Sequence, residues 1–124
     1  MRATRRSIAA FLAAIAGGVA LIAPARAEIE VDLELVLLAD ATGSIDEDEI
    51  RFQRQGYAGA IADPAVLRAI GNGLLGKIAV TYIEWADASS QQIVADWTVI
   101  DGPESARTFA DAILAPPRLA YGRN

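Results

Sequence analysis

Asp40, Thr42 and Ser44 stand at alternate positions in "LVLLADATGSIDEDE", directly after an apolar run and directly before an acidic burst. Side chains at that spacing along an extended loop point to one side. One carboxylate and two hydroxyls make a set of hard oxygen donors, the kind that Mg2+ takes while keeping several waters. Two other chemistries use similar letters. An aspartyl-protease loop needs Asp, Thr and Gly in succession and an all-β setting. Here Ala41 intervenes and the loop opens a helix, so that chemistry is discarded. A phosphoryl-transfer aspartate of the D-K-T-G-T kind would make Asp40 a nucleophile at a strand end. Ala41 replaces its lysine, Thr42 cannot serve as the second acid/base carboxylate, and the single lysine, Lys77, begins a later strand. A hydrolase is therefore the alternative reading. The plainest reading makes Asp40 a turn residue, Gly43 a positive-φ position and Ser44 a helix cap.

Composition narrows the field further. With neither His nor Cys in 124 residues, histidine-based triads, the usual zinc clusters and disulfides are all excluded. The first 27 residues have the layout of a secretory signal peptide. Arg2, Arg5 and Arg6 form a basic head, Ile8 to Ile22 is an uncharged apolar run of 15 residues, and Ala25-Arg26-Ala27 is a small-x-small cleavage site. The run falls short of the roughly 20 residues that span a bilayer as a helix, so no stable membrane anchor is expected after cleavage. A Sec signal is expected over a twin-arginine one. The chain from Glu28 onward carries seven basic and sixteen acidic residues, a net charge of −9. Such a surface repels phosphate backbones, which argues against nucleic acid as a partner. It suits a periplasmic or secreted protein and it suits cations.

The elements that must hold the trio follow from periodicity. Val31 to Ala39 turns from alternation into a continuous apolar run, the pattern of a strand buried on both faces of a parallel sheet. Ser44 with Glu47 forms an S-x-x-E capping box, and a helix runs to about Ala62 on a stripe of Ile50, Tyr57 and Ile61, helped by Ala58 and Ala60. "PAVLRAI" is a shorter helix closed by Gly71-Asn72-Gly73. "KIAVTYIEW" and "QIVADWTVI" read as two further strands, joined across "ADASSQ" into an antiparallel hairpin. Asp101 with Glu104 caps an amphipathic helix over Pro103 to Leu114, and Pro116-Pro117 stops it. "RLAYGRN" has no partner element. Strand, helix, strand, strand, helix is the front half of a larger α/β domain with helices expected on both sheet faces. Glu84 and Asp87 end the second strand as solvated charges or as a second acidic cluster near the same mouth. Trp85 and Trp97 are expected to pack as cross-strand partners, and Tyr57 and Tyr82 to serve the core.

"LVLLADATGSI" resembles the metal-ion-dependent adhesion site motif, D-x-S-x-S, of von Willebrand factor A-type domains. The similarity runs from about Val31 to Tyr121, through "VDLELVLLADATGSIDEDEIRFQRQGYAGAI", "DPAVLRAI", "KIAVTYIEWA" and "VADWTVID". It is nearest to a family of exported bacterial A-like domains of unknown function. The resemblance implies a Rossmann-like, three-layer α/β sandwich with an antiparallel edge strand, of which residues 28–124 form the N-terminal half. It implies that Asp40 and Ser44 are metal ligands for Mg2+ (or Mn2+/Ca2+), with Thr42 in the place where Ser is commoner. It further implies a non-enzymatic binding module, whose protein partner completes the metal's coordination with a carboxylate. Family members take two more ligands, a Thr from the next loop and an Asp after the fourth strand. Gly122-Arg123-Asn124 falls where a G-x-T loop would begin. Without those ligands the metal is expected to bind weakly, and a fragment with no function of its own is the remaining alternative to the binding module and the hydrolase.

Overall fold

The computed structural model describes residues 28–123, so the expected signal peptide and Asn124 lie outside the described residues. Strand β1 (Glu34–Asp40) leads into helix α1 (Glu47–Ile61) and the short α2 (Pro64–Gly71). Strands β2 (Ile78–Asp87) and β3 (Ser90–Ile100) follow, then helix α3 (Pro103–Leu114). The sheet order is β1-β2-β3, with β1 parallel and β3 antiparallel to β2. The hairpin is tighter than its polar connection suggested. Asp87 pairs with Ser90, so only Ala88 and Ser89 form the turn.

Alternation along β2 divides the sheet into two unlike faces. Ile78, Val80, Tyr82, Glu84 and Ala86 are buried. Leu35, Leu37 and Ala39 of β1 and Ala95 and Ile100 of β3 join the same core. Against it pack Ala58 and Ile61 of α1 and Ala106, Phe109, Ala110 and Ile113 of α3. The opposite face is apolar and open: Val36 and Leu38 are 49% and 58% exposed, and Ile93 and Trp97 are 60% and 50% exposed. The described residues therefore build two layers, not the three that were expected, because α1 and α3 pack side by side on one face. Two smaller expectations also fail. Ala60 faces solvent, and the two tryptophans do not pair: Trp85 lies opposite Gln91, while Trp97 sits beside a register shift.

Inside the core is an ion pair. Arg54 of α1 and Glu84 of β2 are 4% and 0% exposed. The guanidinium donates to both carboxylate oxygens, Nε to Oε1 at 2.7 Å and Nη2 to Oε2 at 3.0 Å. Its remaining donors reach the carbonyls of Pro116 and, at 3.1 Å, Pro117. Glu84 is thus neither a solvated charge nor part of a ligand cluster. Arg54 was not legible as a buried position, because the helical stripe placed only apolar residues inward.

Tyr57 and Tyr82 meet edge to face with centroids 5.2 Å apart, a geometry that adds to their area burial. Among the described residues no group meets the buried Tyr82 hydroxyl in hydrogen-bond geometry, and burial, against an opposing contribution from Gln53, pushes its pKa up to about 12.

Two variants test this core. Glu84→Gln leaves the Arg54 charge buried and unpaired, and is expected to cost about 3–5 kcal/mol of unfolding free energy, read from the urea midpoint at unchanged slope. A loss below about 1 kcal/mol would mean that the prolyl carbonyls alone solvate the guanidinium. Tyr82→Phe removes an unsatisfied hydroxyl and is expected to be neutral or to stabilise by up to about 1 kcal/mol. A clear loss in the same titration would reveal a partner for the hydroxyl.

Candidate functional site

Asp40 is the last residue of β1, and the chain leaves the sheet there because Ala41 N still donates to Trp85 O at 2.8 Å while Thr42 turns away. The turn closes on the aspartate itself: Thr42 N donates to Asp40 Oδ1 at 2.8 Å. Among the described residues, no hydrogen-bond donor reaches the second carboxylate oxygen. Gln53 of α1 holds the Asp40 carbonyl at 3.2 Å. Thr42 is 1% exposed and Ser44 is exposed. Their hydroxyl oxygens face one another at 3.3 Å. The structure therefore gathers all three predicted residues into one loop at the carboxyl ends of the parallel strands, where open α/β sheets place their ligands.

Ser44 does not cap the helix. Asp46 is the N-cap: its Oδ1 accepts from Asp48 N and Glu49 N, each at 2.9 Å. Glu49 Oε2 returns to Asp46 N at 2.8 Å to complete the box. The acidic burst holds two overlapping box patterns, and the later one forms. Its consequence is chemical, since Ser44 keeps its hydroxyl free of capping duty. Gly43 is not a positive-φ residue either; only Gly76 is, among the described residues. What Gly43 provides is closeness, with its amide donating to Gly122 O at 2.7 Å.

Gly122 belongs to the segment that was expected to pack on nothing. Instead Ala120 is fully buried in a small cluster with Ala41, Ile50 and Ala86, and Tyr121 N donates to Ser90 Oγ at 3.0 Å. A Cβ on Gly122 would run into the Asp87 carboxylate, which would have to move aside for any larger residue. Arg118 sits deeper, donating to four backbone carbonyls of the loop and tail. Beyond Gly122, Arg123 lines a cavity of about 380 Å³ with Thr42, Gly43 and Ser44.

The family model described as "Protein of unknown function (DUF1194)" matches residues 30–124. The chain belongs to that family. Neither the comparison with curated proteins nor that with solved structures gives a match.

The chemistry of this DUF1194 site is set by one carboxylate and two hydroxyls. Among the described residues, no three Asp, Glu, His or Cys side chains converge as a metal cluster. A cation held here would thus meet a single formal negative charge at Asp40 and two neutral hydroxyl oxygens, with the cationic Arg123 on the lining of the same cavity. That donor set fits Mg2+ with retained waters and does not fit a tight Ca2+ or Zn2+ cage. Asp87 lies at the adjacent strand end. Donation by the Ser89 hydroxyl at 2.7 Å and amide at 2.8 Å holds its carboxyl below the ordinary value of 3.8. It is therefore anionic at neutral pH, but its Oδ1 is occupied by Ser89.

The shift of the cap predicts unequal costs for two neighbouring substitutions. Asp46→Ala is expected to destabilise by about 1 kcal/mol through loss of the cap. Ser44→Ala should stay within about 0.5 kcal/mol of the parent in the same urea titration. Equal losses would return the capping role to Ser44.

Proposed function

We propose that the chain is an exported binding module of the von Willebrand A type, in which Asp40, Thr42 and Ser44 hold a hard divalent cation. Mg2+ is the first choice, with Mn2+ or Ca2+ as substitutes, and the partner is a protein that offers a carboxylate to the bound ion. The observation that carries this reading is the pair of facing hydroxyls beside a strand-end carboxylate, with helix capping passed to Asp46. Bound there, the cation would supply a Lewis-acidic point to which a partner's carboxylate can bind. Asp40 would contribute the charge, and Thr42 and Ser44 would orient their lone pairs. The antiparallel edge strand beside a parallel pair is consistent with that fold type. Acidic composition and the signal-like N-terminal segment favour the periplasm or the medium, and no helix among the described residues is long and apolar enough to cross a membrane.

The hydrolase alternative finds less support. Lys77 precedes β2 at the end of the sheet away from Asp40, whose register partner is Trp85. Lys77 lies eight positions before Trp85, about 26 Å at ~3.3 Å per residue. No lysine therefore stands by to neutralise a transferred phosphoryl group.

Isothermal titration of the chelator-treated chain with MgCl2 tests the proposal. Saturable binding is expected, weakened about tenfold or more in Asp40→Asn and Thr42→Ala, with no turnover of an aryl phosphate. Absence of binding, or equal binding by Asp40→Asn, would sink the metal reading. Phosphate-ester turnover abolished by Asp40→Asn would establish the hydrolase instead.

A further inference from the structure

Arg118 stands among uncharged residues in "APPRLAYG", and its side chain is only 7% exposed. Its guanidinium is spent on backbone. Nη2 donates to Ala41 O and, at 3.0 Å, to Thr42 O; Nη1 donates to Ile45 O at 2.8 Å; Nε donates to Ala120 O at 3.0 Å. The Tyr121 ring lies under the guanidinium at 5.1 Å, a favourable seat for a cation. Glu47 Oε1 is 3.6 Å from Nη1, but that carboxylate is 62% exposed and contributes little.

Three of the four acceptors, Ala41, Thr42 and Ile45, span the stretch that carries Thr42 and Ser44. Fixing the carbonyls of Ala41, Thr42 and Ile45 on one cation sets the peptide planes between them. From the other side, the Gly43 amide is tied to Gly122 O. The side chains of Thr42 and Ser44 are then left to meet at 3.3 Å. Only a planar fork with five donors can satisfy acceptors spread in this way; a lysine ammonium is a point charge with freely rotating donors.

We infer that Arg118 is the positioning residue of the Asp40–Ser44 loop, a clamp from the C-terminal tail that holds Thr42 and Ser44 in binding geometry before any ligand arrives. Its meaning for cation binding rests on the metal reading above; its hold on the loop does not. The clamp also occupies the carbonyls of Ala41, Thr42 and Ile45.

The test uses the full chain and two probes, amide hydrogen exchange of the metal-free protein and Mg2+ titration. In Arg118→Lys, exchange at Gly43 and Ile45, whose amides donate to Gly122 O and Thr42 O, is expected to quicken about tenfold or more while the core strands keep their protection. The Mg2+ dissociation constant is expected to rise about tenfold or more, as for other groups that orient ligands. A folded Arg118→Lys with unchanged exchange at Gly43 and Ile45 overturns the clamp. Faster exchange with unchanged Mg2+ affinity overturns the positioning role and leaves a merely structural one. If Arg118→Lys does not fold, Arg118→Gln, which keeps side-chain donors but removes the charge and the fork, is read by the same two probes and the same criteria. Failure of both to fold overturns the inference, since the tail would then be holding the whole domain. A parent chain that takes up no Mg2+ removes the metal reading alone, and the exchange result still decides the clamp.

Discussion

A guanidinium and a carboxylate share the dry space between α1 and β2, and the remaining architecture is arranged around satisfying them. Arg54 and Glu84 are paired through two parallel hydrogen bonds, the strongest geometry available to such groups. Even so, the pair leaves donors over on Arg54, and inside a core these must find acceptors. They find the carbonyls of Pro116 and Pro117. Proline carbonyls are well suited, since a Pro-Pro step ends α3 and carries no amide of its own. The demand of one buried charge thereby fixes where the chain goes after its last helix.

That path brings Arg118 beneath the Asp40–Ser44 loop. The two arginines act in series: Arg54 anchors the tail to the core, and Arg118 anchors the loop to the tail. Both spend their charge on backbone carbonyls as much as on carboxylates. The site is thus built from elements far apart in sequence, with the tail some 75 residues beyond the loop it holds. In the acidic burst after Ser44, the Asp46–Glu49 box turns two of the charges into helix-starting groups, and Glu47 touches the network only through its exposed carboxylate near Arg118.

The open face of the sheet has a different character. Val36, Leu38, Ile93 and Trp97 lie exposed on it, while the helices cover the other side. Continuous apolarity in "LVLLA" was read as a strand buried on both faces, and the described residues cover only one. The pattern is set by composition, but burial needs a covering element.

Periodicity and punctuation alone determined the elements. Pro103 to Leu114, Pro64 to Gly71 and the three strands are visible in the sequence because local spacing, proline and glycine dictate them. The placement of Asp40, Thr42 and Ser44 at a strand end is equally local. Tertiary structure decided everything that required a choice between equivalent local patterns or a distant partner. Ser44 and Asp46 each head a valid capping box, local spacing does not choose between them, and the folded chain uses Asp46. Arg54 looks like any solvent-facing helical arginine until Glu84 appears opposite it. "RLAYGRN" shows no period at all, because its order comes from a guanidinium meeting carbonyls 70 and more residues away, a contact that leaves no trace in local spacing.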